Sequence, residues 1–183
     1  MANEHRAGAE NRAAVPSPWP RVVRFCTIFL LLIAAYVAFF STPWVERHVH
    51  APMSRLVAVV SLPLLSLFGP VTISGTHLEF DGFRAVIVEA CNGVLPMYIF
   101  LAAVLAFPSS WPEKLRGVLL GVPIIFPINV VRVVSLMILG AHNPDIVERI
   151  HIDVWQTAVV VLTMGIWIFW AERFVRPRSE ARR

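Results

Sequence analysis

Charge is scarce in this chain. Asp, Glu, Lys and Arg make up 15% of its 183 residues, while 57% are hydrophobic. Ordinary soluble domains carry about 25% charged and roughly 45–50% apolar residues, so a soluble domain of this size is excluded. Cysteine is scarcer still. Cys26 and Cys91 stand alone, too few for a disulfide framework or a four-cysteine zinc site. No H-E-x-x-H pair is present, which removes a common zinc-hydrolase signature. Neither an internal repeat nor a low-complexity tract occurs, so nothing suggests the paired interrupted helices of a transporter.

What the chain has instead is long apolar runs, and a mean hydropathy of +0.67. Several approach the ~20 residues a helix needs to cross a bilayer. The expected fold is an all-α integral membrane bundle of about four transmembrane helices, with a short interfacial helix and a small periplasmic β-hairpin. The expected spans are 22–40, 94–107, 117–140 and 154–171. The run 56–69 (LVAVVSLPLLSLFG) has only 14 residues and an internal Pro63, which suits an interfacial or re-entrant segment better than a span. β-Branched and aromatic residues punctuated by Gly75 and Asp81-Gly82 predict strands over roughly 71–79 and 83–89. Residues 1–20 read as a flexible cytoplasmic tail, 21–173 as one membrane-embedded domain, and 174–183 as a basic cytoplasmic tail.

The formal charge of +4 is not a nucleic-acid footprint, and no nucleic-acid partner is expected. Its arginines flank the apolar segments, at 6, 12, 21 and 24, at 116, and at 173–183. Positive charge beside spans sets topology. These flanks share one side if 56–69 does not cross, and by the positive-inside rule that side is the cytoplasm. The predicted location is a bacterial inner (cytoplasmic) membrane, multi-pass, with the opposite face in the periplasm.

That opposite face collects the chemistry. Cys91 sits in VEACNGVLP, at the outer end of an apolar helix. A helix N-terminus and nearby cations lower a thiol pKa from about 8.5 and supply thiolate. Glu89, Asn92 and Gly93 surround it, Gly93 giving room for a substrate backbone. Cys26, mid-helix and without a partner, reads as a small hydrophobe. Arg132 lies within the 117–140 helix, where a charge costs at least ~2.5–3.5 kcal/mol and usually marks function. Asn129 stands three residues before it on the same face. His151 immediately precedes the last span, with Asp153 placed to orient its ring. It is favoured over His142, whose AHNPD context is turn sequence. His48, His50 and His77 read as outer-loop histidines, and Trp155 as an interfacial anchor.

EACNG, then NVVR, then a histidine before a final helix resembles the exosortase/archaeosortase family of membrane transpeptidases, over roughly residues 56–171. LLSLFGPVTISG, leading into the hairpin, has the same flavour, and the short form is similar to the exosortase H subgroup. The resemblance implies Cys91, Arg132 and His151 as catalytic residues. Asn92 stands where many members carry Ser. It further implies a sortase-like reaction on exported proteins with a C-terminal sorting tail of motif, transmembrane helix and basic end. Cys91 would attack the motif, His151 would move protons and Arg132 would stabilise the oxyanion. The product would pass to an unidentified extracytoplasmic acceptor. No cofactor or metal is implied. Beyond substrate and acceptor, the expected partner is the lipid bilayer. The alternatives are a metal-dependent hydrolase built on Cys91, His142 and His151, and a non-enzymatic membrane-complex subunit whose Arg132 pairs with another chain.

Overall fold

A computed structural model describes residues 19–40 and 42–175. The expected tails therefore lie, except at their inner edges, outside the described residues. Helix α1 spans Trp19–Phe40 and α2 Pro43–Leu65. Three short strands follow, β1 Val71–Ser74, β2 His77–Phe80 and β3 Phe83–Val86. Helix α3 is Val94–Ala106, α4 Trp111–His142 and α5 the helical run Pro144–Phe174. Four of these, α1, α2, α4 and α5, are long and apolar enough to cross a membrane. The chain is a multi-pass, mostly helical membrane protein.

The longest helix organises the rest. Ser110 starts α4 with a capping box, its own amide donating to Glu113 Oε2 at 2.7 Å, which satisfies donors that every helix start leaves free. At 32 residues and 1.5 Å per residue, α4 runs about 48 Å, well beyond the ~30 Å hydrocarbon core. Its two halves serve two layers. In the lower layer Gly117 meets Trp170 of α5 and Gly121 meets Phe100 of α3. A Cβ at Gly121 would stand 2.1 Å from that ring, so glycine is what lets α3 approach. Phe100, Val104, Ile125 and Trp170 form this core. Helix α1 lies against α3, with the Tyr98 hydroxyl donating to the Leu32 carbonyl at 2.8 Å.

The upper half of α4 carries the second layer. Val133 and Met137 join Val57, Ala58 and Leu65 of α2, Leu78 and Phe80 of β2, and Ile87 in a second core. The sheet is an antiparallel meander in the order β1-β2-β3. Asp81 and Gly82, at φ +46° and +81°, make the tight two-residue turn their sequence predicts.

Three expectations change here. The predicted first strand, 71–79, is two strands, because Gly75 (φ +67°) and Thr76 turn the chain between Ser74 and His77. The hairpin is thus a three-stranded meander. Next, the expected short 56–69 helix begins at Pro43 and runs through the polar VERHVH as a π-helical stretch, Glu46–His50. Its length would allow a crossing, yet it packs along the upper half of α4 and the sheet. Finally, the last helix starts at Pro144, so His151 lies inside a helical run, in a second π-helical stretch, Ile150–Trp155.

Candidate active site

Cys91, Arg132 and His151 meet where the two layers join. Cys91 ends a short 3-10 turn, Glu89–Cys91, that drops from β3 towards α3. Its Sγ stands 3.5 Å from His151 Nε2. The same nitrogen receives a hydrogen bond from Arg132 Nη2. A guanidinium can only donate, so Nε2 is the acceptor and the neutral ring carries its proton on Nδ1. Arg132 lies ten residues before the end of α4, about 15 Å along the helix axis. Only 3% of it is exposed. Its Nε–H finds no partner among the described residues.

Two asparagines clamp the Cys91 loop. Asn129 Nδ2 donates to the Cys91 carbonyl at 2.8 Å, while its buried Oδ1 stays unpaired. An unmet acceptor and an unmet donor on neighbouring turns of α4 leave polar capacity beside the thiol, costly in an apolar setting unless something fills it. Asn92 is fully buried. Its Oδ1 accepts the Val94 amide at 3.0 Å, which fixes the amide's orientation. Nδ2 then donates to His50 Nδ1 at 3.2 Å, with Ser54 Oγ at 3.3 Å and the His50 carbonyl at 3.4 Å. Gly93 adopts φ +80°, and a Cβ there would fall 2.9 Å from Asn129. The glycine thus makes room for Asn129, where the sequence suggested room for substrate.

His50 is the residue that sequence reasoning missed. Read as an outer-loop histidine, it is 3% exposed and anchors the Cys91 loop to α2. Its Nε2 faces Glu89 at 4.0 Å, and Glu46 completes a group whose ligand atoms lie within 4.8 Å of one another. Because Nδ1 accepts from Asn92, the neutral ring must carry its proton on Nε2. A metal would need the lone pair on that nitrogen, so these donors do not suit one. Asp153 makes no hydrogen bond to His151 among the described residues. His142 turns its Nδ1 to the Ile138 carbonyl of its own helix, 2.9 Å away, and takes no part in the cluster. Cys26 is exposed on α1. An apolar cavity of about 340 Å³ between α1, α3 and α5, lined by Phe25, Ile99 and Trp167 among others, includes none of Cys91, Arg132 and His151.

The thiol itself departs from expectation. Burial pushes the Cys91 thiol above its ordinary value, and the Arg132 charge pulls it only partly back. The sulfur packs beside the upper apolar core, three residues before α3 starts at Val94, and desolvation outweighs the nearby positive charge. A thiol whose neutral form is favoured by burial therefore faces the Nε2 acceptor of His151. Since burial disfavours the anion, alkylation of Cys91 should rise with pH around a midpoint above the ~8.5 of free cysteine. Arg132→Gln removes the opposing charge and should move the midpoint further up. Iodoacetamide kinetics in a Cys26→Ala background measures both. A midpoint below neutrality would mean a preformed thiolate.

Residues 20–171 match the transmembrane exosortase family (Exosortase_EpsH). This chain belongs to the transmembrane exosortase family. The match reaches back through α2 and α1, so the helices that hold the Cys91 loop and His50 belong to the family region. Comparison with curated proteins and with solved structures gives no match.

Proposed function

We propose that this exosortase is a membrane cysteine transpeptidase that cuts C-terminal sorting tails from exported proteins and transfers them to an extracytoplasmic acceptor. The observation that carries this reading is the Cys91 sulfur 3.5 Å from His151 Nε2, with Arg132 on the same nitrogen. An entering peptide carbonyl draws Arg132 towards its oxygen and frees the Nε2 lone pair. The thiol proton passes to Nε2 as sulfur bonds the carbonyl carbon. Arg132, with its unpaired Nε–H, stabilises the oxyanion. The C–N bond breaks, the amine of the tail takes the proton from Nε2, and a thioacyl-enzyme remains. An acceptor nucleophile gives its proton to His151 and attacks the thioester, the C–S bond breaks, and Nε2 returns the proton to the Cys91 sulfur.

The layered fold supports an orientation. Helices α1, α3, α4 and α5 would cross, α3 (13 residues) lengthened by the segments at its ends. Helix α2 and the sheet would stand on the outer side. The basic flanks then fall on the cytoplasmic side of a bacterial inner membrane, and Cys91 meets tail motifs at the periplasmic interface.

The test follows an epitope-tagged host protein ending in motif, transmembrane helix and arginines. With wild-type enzyme a processed, faster-migrating or modified form is expected. With His151→Ala at equal membrane levels it should vanish. Normal processing would remove His151 from the chemistry and this mechanism with it.

A further inference from the structure

The geometry points to the free edge of β3 as the docking strand for the sorting motif, which joins the sheet as a fourth strand and is thereby led to Cys91. This rests on the peptidase reading above and specifies how that site takes its substrate. Strand order leaves β3 at an edge. Its register pairs Phe80 with Phe83 and Leu78 with Ala85, and the Ile87 amide donates to the Thr76 carbonyl at 2.9 Å. Hydrogen-bonded partners alternate along an antiparallel pair, so 83, 85 and 87 face β2, while 84 and 86 turn their main-chain groups outward. The Val86 carbonyl accepts from Val88 at 3.1 Å. That leaves the Arg84 N–H and C=O and the Val86 N–H for an incoming chain.

Edges are commonly blunted by charged side chains or proline. Here the Arg84 guanidinium is turned across the sheet, its Nε 3.0 Å and Nη2 3.3 Å from the Glu79 carboxylate on β2. It does not guard the edge. Downstream the same face becomes apolar, with Val86 46% and Val88 50% exposed, suited to alternate side chains of an added strand. The strand also leads to the nucleophile. Phe83 packs on Gly140, whereas the Cys91 carbonyl is held by Asn129, a descent of about 16 Å along α4. An extended segment exposes its carbonyls to a thiol, and extended main chain beside a bilayer needs partners for its polar groups. The edge of β3 supplies them.

Arg84→Pro tests the edge, because proline there removes an outward N–H and none from the β2–β3 ladder. Losing main-chain bonds to the substrate should slow processing of the tagged tail roughly tenfold or more. Membrane level and iodoacetamide labelling of Cys91 should stay as in wild type. Wild-type processing by Arg84→Pro, with Cys91→Ala inactive, would overturn the docking edge and leave the transpeptidase reading intact. Processing by Cys91→Ala would overturn that reading itself. Should Arg84→Pro not accumulate, a benzophenone amino acid at position 86 in a Cys91→Ala chain is expected to crosslink the tail at its motif. Absence of that crosslink, with the tagged tail protein present in the same membranes, would equally overturn the docking edge.

Discussion

Cys91→Ala should reduce tail processing to the level of a host lacking the enzyme. Removing the nucleophile of a hydrolytic triad costs roughly 10⁶-fold in turnover, far below what a gel assay detects. The effect should be chemical, because the fold has little invested in the sulfur. Cys91 is half-buried at the margin of the upper core, and its loop is held by the backbone bond from Asn129 and by the Asn92 clamp. Cys91→Ser sharpens the distinction. It keeps the volume but offers a much poorer nucleophile, so it should also fail, whereas a purely structural cysteine would tolerate serine. Measuring processed tail against enzyme in isolated membranes separates loss of chemistry from loss of protein.

Arg132→Lys should be almost as damaging, by about 10²–10³-fold, the scale for losing an oxyanion donor. The guanidinium has two tasks at once. Its Nη2 holds the Nε2 lone pair of His151, while its Nε–H has no partner among the described residues. Lysine keeps the charge but not the planar fork, so it cannot serve histidine and substrate oxygen from fixed positions. The substitution separates two roles. Because the charge remains, the pH profile of Cys91 alkylation should shift little with Arg132→Lys and upward with Arg132→Gln, while both lose turnover. A lysine variant that processed tails at the wild-type rate would reduce Arg132 to a source of charge.

Cys91 and Arg132 could be singled out in the sequence because each is out of place there. A cysteine flanked by Glu89 and Asn92, and an arginine within an apolar run, stand out against hydrocarbon, and the structure brings both to His151. The helical membrane class was legible for the same reason, long apolar runs having few other uses. What stayed hidden depends on tertiary partners. His50 lies among polar residues, and only the buried Asn92 shows that it faces inward. The VERHVH stretch lacks an apolar helical stripe, yet stays helical as a π segment. His151 lies in a second such segment. π-Helical turns are frequent at functional sites and carry no simple sequence signal. Asp153 is near His151 in sequence, yet its carboxylate makes no hydrogen bond to that ring among the described residues. The thiol's raised pKa follows from packing against the upper core, invisible when only its neighbours in sequence are known.

The most direct measurement is capture of the acyl-enzyme. Membranes containing tagged enzyme and tagged tail protein, quenched in acid and resolved on a denaturing gel, should show a covalent species carrying both tags. Neutral hydroxylamine should dissolve it, as it does a thioester, and Cys91→Ala should never form it. A conjugate that survives hydroxylamine, or one that persists in Cys91→Ala, would contradict a thioacyl intermediate on Cys91.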